Sequence, residues 1–465
     1  MVGRARDRRA NDDAMTYHKP CMSIDKLGVT LLLLAPLWAA EPSRTVIAKW
    51  QDGKDACVSL TYDDSSINQF RIAIPLMNER GMPGTLFIIT GDIEGSKNQP
   101  QFVGRPMMDI IRESEKIPTN KDNALERTSL LNYLQTIQLV PELRDFSAQR
   151  LGRFLRQGDY TQLGLTVDAA LAKLRQAGVN YAAGTRKSPV GDRRYPLTWD
   201  EIRRHAAEGH EFANHSITHP FMPVLDEANI VYEIEKSNQD IREQLGPKHT
   251  FSVEAPYGID DPRVRPIVSS RFPLTRNWVT DDFMEGFLRD DRRDPTTSTR
   301  EYVQWQRGPL ARTTMETMKG WVDTSIGKGI WLVLVFHGVE GIGWEAMPTE
   351  TMRTYFDYIK DRESHLWFAT FHDGAKYARE RVASTVKSNA AGDTIEVTVS
   401  HTLKLEVYDV PLTARTTIPA DWRLVRFRQG NDVRWLPVHR EGGEPFVMYR
   451  IAPNGKLALL EKASN

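Results

Sequence analysis

The order of elements around Asp63 constrains this chain most. Cys57–Thr61 (CVSLT) is a short apolar run ending on Tyr62-Asp63-Asp64, the pattern of a strand that delivers polar residues at its tip. Ile67–Arg80 has helical periodicity and stops at Gly81, a suitable C-terminal cap, and Gly84–Thr90 (GTLFIIT) reads as a second strand. Strand, helix, strand predicts a parallel sheet with crossover helices. The alternation resumes at Thr198–Gly209, where Thr198 and Glu201 make a capping-box pattern, and Glu211-Phe212-Ala213 forms the next short strand. Further strands are expected at Phe251–Val253, Trp331–Phe336 (WLVLVF) and Leu366–Phe371, the last followed by a helix over Asp373–Val382 with Asp373 as its N-cap. The unbroken apolarity of Trp331–Phe336 suits a parallel strand covered on both faces.

Two regions depart from this alternation. Residues 93–195 are helix-rich and polar, with Leu130–Val140 and Thr166–Ala177 as the best amphipathic pieces, and read as a helical insertion that covers the sheet. After Ser384, Thr394–Ser400 and Leu403–Tyr408 alternate with period two, and Phe446–Ile451 and Lys456–Leu460 follow between turn residues. Residues 385–465 therefore read as a small β-sandwich-like domain. A chain of 465 residues has room for two or three such units.

The 61 basic and 61 acidic residues cancel, so composition excludes broad attraction to nucleic acid or to an anionic membrane. Gly28–Ala40 (GVTLLLLAPLWAA) is short, apolar and ends in small residues, which reads as a secretory signal peptide within residues 1–40, with an uncleaved anchor as its rival. Met22 with Lys26 gives a more ordinary start than Met1. The expectation is a periplasmic or extracellular protein with no membrane span after cleavage. Of the two cysteines, Cys21 precedes the apolar run, so the mature chain keeps Cys57 alone and has no internal disulfide.

The chemistry concentrates at strand ends. His215 and His219 stand four residues apart after a strand, and on a helical turn such positions share a face and can grip one metal ion. Two neutral imidazoles and one carboxylate leave coordination positions open for water and substrate. One of Asp63 or Asp64 supplies that carboxylate, and the other sits beside the metal to take a proton from the activated water. A lone His337 follows another strand. Trp278, Trp305 and Trp344 are candidate sugar-stacking platforms, of which Trp344, in the Gly338–Pro348 loop, is the best placed. His210 reads as a packing residue that bonds the backbone.

Thr61-Tyr62-Asp63-Asp64, His215 through His219, Ala255-Pro256-Tyr257-Gly258 and Leu334-Val335-Phe336-His337 together resemble the ordered motifs of polysaccharide deacetylases, the NodB-homology domains of carbohydrate esterase family four. The resemblance covers about residues 45–382 apart from the insertion. It implies an α/β fold, a distorted seven-stranded (β/α) barrel here joined by the insertion and the small C-terminal all-β domain. It implies Asp63 as catalytic base, Asp64 with His215 and His219 as ligands to a divalent metal, zinc first, and His337 as general acid. Tyr257 would give its backbone N–H to the oxyanion, and Leu334 would line the pocket for the acetyl methyl group. The third motif of the family opens with an arginine that holds the base, whereas Glu254 stands there in this chain. Either Glu254 points away or another cation such as Arg276 supports Asp63.

These readings converge on a secreted metal-dependent hydrolase that removes acetyl groups, as amides or esters, from a poly- or oligosaccharide. The alternative is a carbohydrate-binding or envelope-structural protein built on a degenerate barrel.

Overall fold

The computed structural model describes residues 44–178, 197–258, 261–276 and 304–463. The apolar run at Gly28–Ala40 and Trp278 lie outside them. The strands of the first part are β1 (Thr45–Ile47), β2 (Ala56–Tyr62), β3 (Gly84–Ile88), β4 (Glu211–Asn214), β5 (Ser252–Val253), β6 (Leu274–Thr275), β7 (Gln304–Arg307), β8 (Trp331–Phe336) and β9 (Leu366–Phe368). Those of the second are β10 (Thr385–Ala391), β11 (Thr394–Ser400), β12 (Leu412–Thr417), β13 (Leu424–Gln429), β14 (Asp432–Pro437), β15 (His439–Glu441), β16 (Glu444–Ile451) and β17 (Ala458–Lys462). The helices are α1 (Ile74–Asn78), α2 (Met107–Glu113), α3 (Ala124–Thr136), α4 (Ala148–Gln157), α5 (Tyr160–Ala177), α6 (Trp199–Ala207), α7 (Glu227–Leu245), α8 (Val264–Ser269), α9 (Met315–Lys328), α10 (Thr349–Lys360) and α11 (Phe371–Ala383).

Strands β2 to β9 form one parallel sheet in the order β6-β5-β4-β3-β2-β8-β7, with β9 also paired to β2. This sheet is curled. In a flat sheet the ends of β6 and β2, four steps apart, would be separated by roughly 19 Å at about 4.8 Å per step. Yet Arg276, just past β6, bonds Asp63, just past β2, at 2.6 Å. The edge strands are bridged as well, because Gln306 of β7 donates its side-chain amide to the Arg276 carbonyl at 2.9 Å. Seven strands curled in this way, with crossover helices outside, make the distorted (β/α) barrel that the family resemblance implies.

The strand period of two separates the faces. Leu60, Tyr62, Leu86, Ile88, Phe212, Leu332, Leu334 and Phe336 face outward and pack with Ile74, Met318, Val322, Met352 and Phe356 of the helices. Cys57, Phe87, Ala213, Leu274, Trp331, Val333 and Val335 face inward and meet Phe371. Cys57 is thus a buried free thiol within a strand, as expected. Polar residues share the interior, and Trp331 donates its indole N–H to Ser59 at 3.0 Å.

The insertion carries α2 to α5 and has its own core of Ile110, Leu130, Leu134, Leu151, Leu163 and Leu171. That core is continuous with Phe221, Met222, Val224 and Ile230, the residues just after the His pair. The C-terminal strands form two antiparallel sheets, β1-β12-β16-β15 and β10-β11-β17-β13-β14, that share a core with Trp50 and with Ala375 and Tyr377 of α11. β1 precedes the barrel in sequence but pairs with β12, Thr45 opposite Thr416.

Two local expectations are corrected. Leu403–Tyr408 is a turn rather than a strand: the amides of Val407 and Tyr408 both bond the Lys404 carbonyl, a local closure that replaces ladder pairing. The last barrel strand ends at Phe368, and α11 starts at Phe371, capped by Thr370, whose side chain accepts from the Asp373 amide. Asp373 therefore lies inside the first turn and is not the cap. Among the described residues, no helix is long and apolar enough to cross a membrane.

Candidate active site

Five chemistry-bearing residues at the barrel mouth each take the next inward position beyond a strand. Asp63 follows β2, His215 follows β4, Glu254 follows β5, Arg276 follows β6 and His337 follows β8. One more ladder bond fixes most of these backbones. The amide of Asp63 donates to Phe336, that of His215 to Ile88, that of Glu254 to Asn214 and that of Arg276 to Val253, each at 3.0 Å. The sheet thus holds them as firmly as it holds its own strands, at the carboxyl ends where such folds gather their sites.

Asp64, His215 and His219 come together, with one ligand atom of each within 4.8 Å of the others. Asp64 Oδ1 lies 3.7 Å from His215 Nε2 and 3.3 Å from His219 Nε2. The other ring nitrogen of His215, Nδ1, is 2.8 Å from the Glu254 carbonyl, which fixes the tautomer and leaves the Nε2 lone pair facing Asp64. Two imidazole nitrogens and a carboxylate oxygen, oriented inward at these separations, fit a divalent ion such as zinc.

The His pair does not sit on a helical turn, contrary to the simple reading of its spacing. It lies on a loop in which Ser216 and His219 have φ of 68° and 57°. Asp64 and Tyr257, at the same mouth, have φ of 75° and 62°. Side-chain-bearing residues rarely adopt this conformation, and such strain persists only where the surroundings over-determine it. Here they do. Glu233 of α7, buried, accepts from the amides of Ile217 and Thr218 at 3.0 and 2.9 Å and from the Thr218 hydroxyl at 2.7 Å. Asn214 accepts from the Ser216 amide, and Ser216 Oγ accepts from the His219 amide. The loop also bonds the segment after β3, where the Gly91 amide meets the Ile217 carbonyl at 3.0 Å; a Cβ at Gly91 would stand 2.4 Å from that oxygen.

Asp63 occupies the adjoining corner. Arg276 grips it with both ends of its guanidinium, Nη1 to Oδ1 at 2.8 Å and Nη2 to Oδ2 at 2.6 Å, and Nη1 also donates to Thr61 at 2.9 Å. The guanidinium lies over the Phe87 ring at 4.5 Å, and its Nε is 3.3 Å from Glu254 Oε2. Glu254 therefore does not point away; it turns its carboxylate to Arg276. Burial alone would raise the Asp63 pKa, but Arg276 first, then His215 and His337, outweigh it and hold the carboxyl below its usual range. His337 Nε2 is 3.5 Å from Asp63 Oδ2. Gln69, from a π-type turn that leads into α1, donates to the carbonyls of both Asp63 and His337, at 2.5 and 2.7 Å, and ties the two strand ends together.

The remaining expectations divide. The Tyr257 ring packs on His219 at 4.7 Å and on Phe221 at 5.6 Å, half-exposed at the mouth. Trp344 is exposed and edge-on to His337. Leu334 is corrected: it faces the helices, in the cluster with Met318 and Phe356, because its parity is opposite to that of His337. Val335 is the strand residue on the His337 face. Trp305 is buried on the outer side with Arg307 over its ring at 4.1 Å. His210 bonds the Gly84 amide through Nδ1 at 2.9 Å, the backbone role expected of it. Glu233 and Gln69 were not read from the sequence; only their place in ordinary helical runs was visible, and a polar residue there looks like a solvated face.

The described residues thus form a curled parallel β/α barrel with an Asp–His–His donor set at the carboxyl ends of its strands. The family model described as polysaccharide deacetylase matches residues 165–271, the stretch that holds His215, His219 and Tyr257. A chitooligosaccharide deacetylase of Sinorhizobium fredii is 36% identical over 58 residues, 12% of this chain and 27% of that one. Among solved structures, the Xyl-CE4 domain of a multidomain xylanase from the hindgut metagenome of Trinervitermes trinervoides is 11% identical, with 68% of this chain and 87% of that one covered and a TM-score of 0.30. A family 4 carbohydrate esterase from Streptomyces lividans, in complex with acetate, is 13% identical, with 67% and 91% covered and a TM-score of 0.28. Residues 165–271 are thus similar to the polysaccharide deacetylase family, and the chain spans about a quarter of the length of the curated relative it matches.

Proposed function

We propose that this chain removes acetyl groups from a glycan outside the cytoplasm, with the N-acetyl amide of a hexosamine as the first substrate and O-acetyl esters as a variant. The observation that supports it is the convergence of Asp63, Asp64, His215, His219 and His337 at one end of the barrel, for which a sugar-binding protein has little use. Asp64, His215 and His219 would hold a divalent ion, zinc first. Such an ion, when bound, polarises a carbonyl oxygen and makes a water molecule more acidic. Asp63, ionised through neutral pH, takes the proton of the attacking water on the carboxylate edge that Arg276 leaves open. The Tyr257 N–H donates to the oxyanion as the acetyl carbon becomes tetrahedral. His337 then gives its Nε2 proton to the departing amine or alcohol nitrogen or oxygen, so the C–N or C–O bond breaks to a neutral leaving group. Trp344 offers the sugar ring a rigid apolar wall beside His337.

Acetate release from acetylated chitooligosaccharides, peptidoglycan and acetyl-xylan, measured with and without zinc, tests the reading. Wild type is expected to release acetate from at least one of them, and Asp63→Asn to lose on the order of 10²–10⁴-fold in kcat while still binding zinc. No release from any substrate by zinc-loaded wild type would instead favour the carbohydrate-binding alternative.

A further inference from the structure

Three buried charges meet behind the site: Asp63, Glu254 and Arg276, exposed by 3%, 1% and 0%. A guanidinium buried in this way is stable only with its counter-ions in place, and each of its functions here is distinct. The Nη atoms hold both oxygens of Asp63, the Nε faces the Glu254 carboxylate, and the ring of Phe87 covers the flat face. Glu254 acts twice. Its carboxylate steadies Arg276, and its carbonyl accepts from His215 Nδ1 at 2.8 Å.

We propose that Glu254 and Arg276 form one positioning unit, in which a single residue past β5 orients the imidazole His215 through its backbone and the carboxylate Asp63 through the guanidinium it anchors. The proposal rests on the deacetylase reading and adds to it residues that touch neither substrate nor ion. The unit holds Asp63 against rotation, which would point its open lone pair away from the attacking water. It couples the position of the base to that of His215 because both depend on where the β5 end stands. A lysine at 276 would keep the charge but could not grip both oxygens. Exchange of the two residues between neighbouring strand ends, Arg at 254 and Glu at 276, preserves the count of charges and leaves the backbone carbonyl at 254 where it is.

The test uses the full chain with zinc and acetylated chitooligosaccharide. Arg276→Gln is expected to lower kcat by about a hundredfold with KM little changed, as for a misplaced catalytic group. Zinc affinity, read by calorimetry, should stay within about threefold, since the ligands and the Glu254 carbonyl remain. Glu254→Gln should act in the same direction and less strongly. Arg276→Lys guards against a variant that does not fold: it should bind zinc normally yet recover only part of the lost kcat. The exchange, Glu254→Arg with Arg276→Glu, should exceed Arg276→Gln in kcat by at least about tenfold, because it restores a guanidinium beside Asp63. Wild-type kcat in Arg276→Gln or full recovery in Arg276→Lys overturns the proposal, as does an exchange no faster than Arg276→Gln. If wild type releases no acetate, the deacetylase reading falls on its own. The unit is then judged by thermal midpoints of Asp63→Asn, Arg276→Gln and their combination, where strict additivity would refute the coupling.

Discussion

The indole of Trp344 stands edge-on to the imidazole of His337, centroids 4.7 Å apart and planes at 81°. The loop that presents it is rigid: the Gly338 amide bonds the Trp344 carbonyl at 2.7 Å, and the Met347 amide bonds the Gly338 carbonyl at 3.0 Å. A Cβ on Gly338 would lie 2.7 Å from the carbonyl carbon of Gly343, so the turn closes only around glycine. A preorganised aromatic wall loses little entropy when a sugar ring stacks on it. Trp344→Ala is therefore expected to raise KM by about tenfold, the scale of one aromatic contact, with a smaller change in kcat. Steady-state kinetics on acetylated chitooligosaccharide checks this; an unchanged KM would remove Trp344 from the substrate wall.

Zinc uptake should follow the donor set and ignore the base. Asp64→Ala and His215→Ala are expected to abolish tight binding in calorimetry, while Asp63→Asn, whose side chain faces Arg276, keeps it. Added zinc should raise the thermal midpoint of wild type and of Asp63→Asn alone among these proteins.

Glu233 provides an indirect handle on the same site. Its carboxylate holds the amides of Ile217 and Thr218, between the two histidines. Glu233→Gln removes the charge and keeps one acceptor oxygen, so either the two amides, which share Oε2, or the Thr218 hydroxyl loses its acceptor in the strained loop. Zinc affinity is expected to fall by about 10–100-fold, the usual effect of losing support behind a metal ligand. A stability loss with unchanged zinc affinity would assign Glu233 to packing alone.

Stability should fall toward alkaline pH through His372. Its Nδ1 is 3.2 Å from Glu211 Oε2 and its Nε2 is 2.9 Å from Asp373 Oδ1. Burial opposes the charged imidazole, but Glu211 and Asp373 outweigh it and raise the pKa to about 9. The neighbouring His249, its own pKa lowered to about 4 chiefly by burial, is neutral over this range and does not oppose the charge. A folded pKa above the unfolded value of about 6.5 means that the contribution is complete below that pH and is lost as pH rises through about 9. The thermal midpoint of wild type should drop between pH 7 and pH 10 more steeply than that of His372→Gln. Parallel curves would show that His372 is neutral in the folded chain.

The helical insertion reaches the site through packing. Phe221 lies between Gly152 of α4 and Tyr257, and a Cβ at Gly152 would stand 2.6 Å from the Phe221 ring. Gly152→Val is expected to push Phe221 toward Tyr257, costing about 1–3 kcal/mol of stability as overpacking does. It should also change kcat/KM more than an equally destabilising change elsewhere in the insertion, such as Leu171→Ala. Equal effects would make the insertion a remote cover.

The parallel strands and the Asp63-Asp64, His215–His219 and His337 positions were legible because a strand tip carries its signal locally. A run of apolar residues followed by an ionisable one says where the strand stops and which chemistry it presents. Leu334 was misplaced because the uniformly apolar WLVLVF does not display its faces; its odd spacing of three from His337 puts it on the opposite side of the strand. Arg276 was undetermined because its partner lies 213 residues away and four strand steps across the sheet. Curl, which no local pattern encodes, brings them together. The loop geometry of the His pair escaped because spacing alone suits a helix equally well, while Glu233, which stabilises the loop, comes from the next helix. The pairing of β1 with β12 likewise depends on an edge that exists only after the C-terminal sheet has formed.

The placement of Asp63, His215, Glu254, Arg276 and His337 one position beyond their strands makes this part of the chemistry hostage to sequence parity. Deletion of a single residue within β8 would keep the strand apolar and the sheet paired, yet rotate the imidazole from the barrel mouth to the helical side. Deletion of two would return it to the interior but draw it about 7 Å deeper, beneath the carboxylate it serves. Sequence drift in this barrel can therefore alter side chains freely on its strands but not their length, and an even number of residues is the smallest step that leaves every reactive group facing inward.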